Sequence, residues 1–508
     1  MAKTSAKTKT VEKISRPPIV VVMGHIDHGK TKILDWYRKT KIVEQESGGI
    51  TQHIGAYEVM HQGKKITFID TPGHQIFSQM RSRGARVADI AILVIAADEG
   101  VKPQTKEAIE IIKANNLPFI VAMNKIDKGG ANTERVKQEL AKEDILVESY
   151  GGKIPSVEIS AKEGTRMDEL LEVLLLLAEL EDLADDPKQP AEGVVVESHL
   201  DPRRGATATL LVRSGMFRKG EFLALGGFVE STKILENFLG KPILEAHASM
   251  PVIISSLEHI PVIGDTFKSF KNEADAEFFV PTQTTKKISA EKAPVSIEES
   301  HAEKSMLGIV LKSDVAGSRE AIEAILEAMD YPEVGLKILK NELGDIVESD
   351  IKTAKAGKNI VVCGFKVAMD PVIKQLAESN GIKIITKDIV YELLDAIKSE
   401  MSDLITPETV RNDIGKAKIL ATFKSSGSRQ VVGGRVMEGK LKRGVKCEVW
   451  RGSDSLGEGK IIQLQQQKKD VSDVMAGLEF GVSIDSVKKI QTGDSLIAYE
   501  EEVVKKRL

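Results

Sequence analysis

The chain has 508 residues, longer than the roughly 250–300 at which a single hydrophobic core stops growing, so three or four domains are expected. Hydrophobic residues at 42% and charged residues at 29% exclude a disordered chain, and two distant cysteines, Cys363 and Cys447, exclude a disulfide scaffold or a cysteine-rich zinc site. The net charge of −4 is an average over unlike parts: residues 1–16 carry +4 and residues 415–508 carry +6, leaving −14 on residues 17–414. A basic end on an acidic body is the pattern expected of local contact with a polyanion. With no apolar run of membrane length and no apolar signal core, the expected location is cytoplasmic, with no membrane partner.

A basic flexible tail, 1–17, comes first. Over 18–184 the apolar runs Ile19–Met23, Ile66–Ile69, Ile90–Ala96, Phe119–Met123 and Val157–Ile159 alternate with amphipathic stretches, which predicts a parallel sheet flanked by helices. Pro187 and Pro190 mark a linker, and alternating runs with turns at Gly215, Gly220 and Gly226 predict a β-barrel over 190–270. Residues 271–304, rich in Lys, Glu, Ser and Thr, read as a linker. A second α/β region over 305–388 predicts an α/β/α sandwich whose helix after Ser313 is capped by Asp314 or Ser318. A connecting helix, 389–414, is stopped or bent by Pro407, and a second barrel fills 415–508.

Four short motifs, each at a strand terminus, carry the chemistry. Gly24-His25-Ile26-Asp27-His28-Gly29-Lys30-Thr31 is a phosphate loop between a strand and a helix: its amides converge on phosphate, Lys30 neutralises the β and γ phosphates, and the Thr31 hydroxyl suits Mg²⁺. Asp70-Thr71-Pro72-Gly73-His74 follows, with Asp70 placed to hold the metal and Gly73 to approach the γ phosphate. In Asn124-Lys125-Ile126-Asp127 the Asp127 carboxylate can accept both N1 and N2 hydrogens of guanine, which adenine cannot offer. Ser160-Ala161-Lys162 supplies a backbone amide for the guanine oxygen. Together these read as a GTP/GDP-binding P-loop GTPase domain. His25, His28 and His53 read as surface or packing residues, and the two cysteines as small buried apolar side chains.

The four motifs resemble those of the translational GTPases, and Gly48-Gly49-Ile50-Thr51-Gln52-His53-Ile54-Gly55-Ala56 with Arg81-Ser82-Arg83-Gly84-Ala85 is similar to the bacterial-type initiation factor two family, in a short form lacking its long N-terminal extension. Ile309–Ile322 is similar to that family's third-domain signature. The resemblance implies that Thr51 ligates Mg²⁺ alongside Thr31 and Asp70, that His74 positions the attacking water beside Lys30 and Gly73, and that Ile26 and Ile50 form an apolar gate; a monovalent cation near Asp27 is also implied. It further implies a monomer working with the 30S and 50S ribosomal subunits and other initiation factors. The last barrel then binds formylmethionyl initiator tRNA through Arg435, Arg451, Lys468, Glu479, Phe480 and Gly481. Two departures stand out: Gly434 occupies a position where the family often has Cys, and Gln465-Gln466 replace a frequent Arg-Arg. The rival readings are an elongation-type or specialised tRNA-delivery GTPase and a ribosome- or RNA-binding protein that uses nucleotide only as a latch.

Overall fold

The computed structural model describes residues 14–39, 55–280, 305–405, 408–426, 429–486 and 488–504. They form two compact units, Met1–Lys398 and Ser399–Leu508. No helix among them is long and apolar enough to cross a membrane.

The first unit opens on a six-stranded sheet. Its strands β2 (Ile19–Gly24), β3 (Gly55–His61), β4 (Lys64–Asp70), β5 (Ile90–Ala96), β6 (Phe119–Asn124) and β7 (Ser156–Glu158) run in the order β3-β4-β2-β5-β6-β7. Helices α1 (Lys30–Arg38), α2 (Ser78–Val87), α3 (Pro103–Ala114), α4 (Thr133–Lys142) and α5 (Met167–Leu180) alternate with the strands. Every residue of β2 and β5 is buried, as expected of central parallel strands covered on both faces. The expectation of a wholly parallel sheet is corrected at one edge: β3 pairs antiparallel with β4 from Gly55↔Asp70 to His61↔Lys64. Gly55 and Ala56 are thus strand residues, joined by the tight turn at Gln62 and Gly63, both at positive φ.

The tail is corrected too. Ile14–Ser15 (β1) pairs with Ala184–Asp185 (β8), and the Arg16 guanidinium grips Asp89 with two 2.7 Å bonds while reaching Ser249 Oγ at 3.1 Å. Residues 14–17 therefore fasten the sheet domain to the barrel, because a buried Arg–carboxylate fork holds them there.

The region expected to form that barrel is a seven-stranded antiparallel sheet between Glu192 and Phe270 with a separate two-stranded pair, Phe217–Arg218 on Glu245–Ala246, and Ala208, Leu210, Val212, Phe217, Leu223, Val252 and Ile254 are fully buried in its core. The linker expected from residue 271 begins later, since α6 (Glu273–Phe279) packs Phe279 on Phe270 at 5.3 Å between ring centres. Residues 281–304 of the expected linker lie outside the described residues.

A four-stranded parallel sheet follows, ordered β10 (Val334–Leu343), β9 (Ser305–Ser313), β11 (Ile360–Phe365), β12 (Lys383–Lys387), with helices α7 (Ala316–Ala328), α8 (Glu348–Lys355) and α9 (Pro371–Ser379). The cap of α7 is Val315, not Asp314 or Ser318: Asp314 instead accepts the Val315 amide at 2.7 Å, and Ser318 is buried within the first turn. Cys363 lies buried in β11. Helix α10 (Val390–Asp403) ends eleven residues before the expected boundary at 414, because from Glu408 the chain is already paired as a strand with Val504; Pro407 lies outside the described residues.

The second unit is a closed barrel. Glu408–Ser426 pairs with Ser495–Val504, and the ladder continues through Lys446–Arg451, Asp454–Gln466, Glu479–Ser486 and Arg429–Lys442 back to Glu408–Ser426. Closure leaves no long free edge, and Ile419, Val436, Leu441, Cys447, Ile461, Ile484 and Leu496 fill the interior.

Candidate nucleotide site

The site lies at the carboxyl ends of β2, β4 and β6, where α/β sheets place their ligands. Gly24, at φ 142°, ends β2, and a Cβ there would lie 2.3 Å from the Val94 carbonyl oxygen, so only glycine lets β2 and β5 approach so closely at the loop. Asp27 and Gly29 are left-handed, at φ 60° and 93°, and Gly29 starts α1, which turns the loop amides inward. Ile26 is fixed through its amide, which donates to Gln104 Oε1 at 3.1 Å.

Lys30 is 6% exposed and donates to the carbonyls of Gly24 (3.0 Å) and His25 (2.7 Å), so its ammonium sits inside the loop. Burial lowers its pKa to about 8, against the Asp70 carboxylate, which favours the charge. A Cβ on Gly73 would lie 2.2 Å from Lys30 Nζ: the Asp70–His74 segment closes directly over the lysine. Thr71 Oγ1 donates to Val22 O at 2.9 Å and pins that segment to β2. Asp70 is 4% exposed at the end of β4, and Thr31 stands one residue into α1. A carboxylate and a hydroxyl are hard oxygen donors, the set that suits Mg²⁺. Thr51, Ile50 and His53 lie outside the described residues.

Asn124, 2% exposed, ties the two halves of the site together: its Nδ2 donates to His28 O at 2.9 Å and its Oδ1 accepts the Ala161 amide at 3.0 Å. The phosphate loop and the base turn are thus fixed by one side chain. Asp127 accepts Ser160 Oγ at 2.6 Å, which holds its carboxyl below the usual range. Lys125, at φ 65°, pairs with Glu99 at 3.1 Å, and Lys162 lies exposed beside Glu163.

His25 and His28 form an edge-on pair 5.0 Å apart. His28 is fully buried with Nδ1 3.3 Å from Val94 O, and burial, with the His25 and Lys30 charges adding to it, pushes its pKa down to about 3 from 6.5. The folded protein keeps this ring neutral while the unfolded chain protonates it, so stability present at neutral pH is lost as pH falls from about 6.5 toward 3, at up to about 1.4 kcal/mol per pH unit. In His28→Gln, urea unfolding over that window is expected to show a shallower pH slope than the parent; an identical slope contradicts this account.

Two residues that motif reading left without a role complete the site. Arg81, 1% exposed, donates to Pro72 O at 3.0 Å and to His74 O, and its other nitrogen meets Glu107 at 2.6 Å. It fixes the backbone on both sides of Gly73. Tyr391 of α10 contacts His74, with its hydroxyl on Nδ1. The sequence signal for Arg81 is its place in the Arg81–Ala85 run after the Asp70–His74 motif, which marks a family resemblance and no contact.

In the second unit the candidate residues scatter. Arg435 meets Glu479 at 2.9 Å across paired strands, both exposed, and the register puts Gly434 beside Phe480 and Gly433 beside Gly481. Arg451 is instead held by Asp494 at 2.9 and 3.0 Å, and Lys468 sits in a left-handed turn beyond Gln466. Phe480 is corrected: it is 5% exposed in the core, because strand alternation turns it inward when Glu479 faces out. Gly434 has a physical reason, since a Cβ there would lie 2.2 Å from Lys418 O and 2.8 Å from the Phe480 ring. Gln465 donates to Asp470 at 2.6 Å. Unforeseen is Phe423, 72% exposed, whose ring lies over Gly433 beside the open Gly481.

Residues 15–179 match the Elongation factor Tu GTP binding domain, 190–270 Elongation factor G domain 2, and 282–398 Translation-initiation factor 2. Translation initiation factor IF-2 of Leptospira interrogans is 40% identical over 97% of this chain and 58% of its own length. That of Carboxydothermus hydrogenoformans is 43% identical over 97% and 60%. The chain therefore spans about three fifths of those two relatives. It spans 74% of the Clostridium perfringens factor, at 41% identity over 97% of this chain. Identity at that level over 97% of the chain and 74% of the relative means that the chain belongs to the translation initiation factor IF-2 family.

Proposed function

We propose that this chain binds GTP with Mg²⁺, places formylmethionyl initiator tRNA on the small ribosomal subunit, promotes joining of the large one, and hydrolyses GTP on the ribosome. The observation that carries the reading is Asn124, whose side chain bridges the phosphate loop and the base turn. Lys30, buried among loop carbonyls, swings onto the β and γ phosphates when they bind, exchanging two neutral acceptors for charged ones. Thr31, Asp70 and, by the family resemblance, Thr51 hold Mg²⁺, which neutralises developing charge when bound. The Gly73 amide, closed over Lys30, faces the γ phosphate, and His74 positions the attacking water. By the family resemblance, Asp27, left-handed at the loop's turn, would share the phosphate charge with a monovalent cation. Positioning and charge stabilisation account for most of phosphoryl-transfer catalysis, so His74 need not act as a base.

In the closed barrel, the Arg435–Glu479 pair, Gly481 and the exposed Phe423 make a narrow strip with a glycine floor and an apolar wall. It suits an aminoacyl end carrying an apolar side chain, with Lys468 available to phosphate and Arg451 reaching it only by leaving Asp494. One experiment tests both halves: single-turnover GTP hydrolysis with 30S complexes holding formylated or unformylated methionyl-tRNA, on addition of 50S subunits. Hydrolysis is expected to accelerate with ribosomes, to do so more with the formylated tRNA, and to fall at least about 10²-fold in His74→Ala. No ribosome stimulation leaves only a nucleotide latch, and equal rates with both tRNAs overturn the role of the barrel.

A further inference from the structure

We infer that Tyr391, in the first turn of α10, is a positioning residue for His74: its hydroxyl engages the imidazole at Nδ1, and in the ribosome-free protein this grip keeps His74 from receiving the attacking water. This inference rests on the catalytic reading of His74.

The contact is built from both sides. The two ring centres are 4.0 Å apart at 48°, between residues 317 positions apart in the chain. Tyr391 is set in place by α10, whose Val390, Leu393, Leu394 and Ile397 are each no more than 5% exposed. His74 cannot drift through its backbone, because Arg81 holds the carbonyls of Pro72 and His74. The helix that carries Arg81 is itself tied to the second α/β domain: Arg83 meets Glu320 at 2.6 Å, and Gly317 leaves just enough room for Met80, whose methyl a Cβ would approach to 2.4 Å. Tyrosine and histidine therefore face each other from two domains that are bolted together beside them.

The chemistry of the pair decides what the grip does. Burial, followed by the charges of Arg81, His25 and Lys30, pushes the His74 pKa down to about 4, so the ring is neutral at pH 7. A phenol is a stronger acid than a neutral imidazole, and imidazole nitrogen the stronger base, so the tyrosine O–H donates to Nδ1. A neutral ring that accepts at Nδ1 carries its one proton on Nε2. Both nitrogens are then committed: Nδ1 is occupied, and Nε2–H can only donate. Such a ring offers no lone pair to a proton of the attacking water. Any movement of α10 that withdraws the hydroxyl frees Nδ1 and lets the ring turn, which makes α10, the helix that leads into the closed barrel, a means of switching the hydrolytic residue.

The test uses the full-length chain and the Tyr391→Phe variant, which keeps the ring and removes only the hydroxyl. In histidine-¹⁵N-labelled protein the parent is expected to show Nδ1 as an unprotonated, hydrogen-bonded nitrogen and Nε2 as protonated, and the variant to show both shifted toward tautomer exchange. Ribosome-free single-turnover GTP hydrolysis is expected to rise about three- to tenfold in Tyr391→Phe, the effect of releasing one hydrogen bond. A protonated Nδ1 in the parent, nitrogen shifts unchanged in the variant, or a ribosome-free rate that is unchanged or lower overturns the grip. His74→Ala separates the two readings: retained ribosome-stimulated hydrolysis there overturns the catalytic role of His74 and the rate consequence with it, while the nitrogen shifts judge the Tyr391 contact independently.

Discussion

Asp127→Asn is expected to weaken GTP binding by roughly 10²–10⁴-fold while raising affinity for xanthosine triphosphate. The carboxylate is held as an acceptor by Ser160 Oγ at 2.6 Å, and that bond keeps it ionised well below neutral pH. Guanine presents two donors, N1–H and the N2 amino group, and each charge-assisted bond contributes about 1.5–3 kcal/mol. Asparagine loses the charge on one bond and turns a donor toward the other, so the N2 amino group meets an N–H in place of an oxygen. Xanthine carries a carbonyl where guanine carries that amino group, and it accepts from the new amide. The phosphate half of the pocket is untouched, because the side chain bridging it to the base turn is Asn124. Competition of GTP and xanthosine triphosphate against a fluorescent GDP measures both affinities; unchanged GTP affinity contradicts guanine recognition by Asp127.

The phosphate loop, the Asp70–His74 segment and the base motifs were legible because each is a contiguous run whose chemistry is backbone-local: glycines at φ 142° and 93° and a carboxylate at a strand end. What escaped reading depends on partners far apart in sequence. Arg81 looks like a surface base, and only the fold reveals that its guanidinium is buried against Pro72, His74 and Glu107. Tyr391 has no local signal at all. Strand β3 is hard to read because Ala56 and Met60 blur its alternation, although the buried Tyr57 and Val59 stand two residues apart on one face as in an edge strand. Phe480 was misjudged for the opposite reason: adjacent strand residues face opposite sides, so a run of three neighbours cannot all meet one ligand through their side chains.

Asp350→Ala is expected to destabilise the second α/β domain by about 3–5 kcal/mol, the cost of removing one partner from a buried charge cluster. Asp350 is fully buried at the start of α8, where it accepts the Val347 amide at 2.9 Å, bonds Lys340 at 2.6 Å and faces Lys312 Nζ at 3.7 Å. Lys312 is 4% exposed and keeps only Glu342, at 3.4 Å, once the aspartate is gone. In sequence, Lys312 reads as a polar end to an apolar strand, and nothing near it announces the partner that justifies burying its charge. Amide exchange along β9 in the full-length protein reports the loss locally, and protection reduced by less than about tenfold contradicts it. Because Asp350→Leu combined with Lys312→Met removes the two most buried charges and leaves the more exposed Lys340 paired with Glu342 at 2.9 Å, the double variant should recover most of the protection. The effect should also reach the nucleotide domain: Glu320, on the helix packed beside this sheet, holds Arg83 of α2 at 2.6 Å, and α2 carries the arginine that fixes the backbone of His74. Loosening the cluster therefore loosens one of the two supports of His74 without touching any residue of the nucleotide pocket.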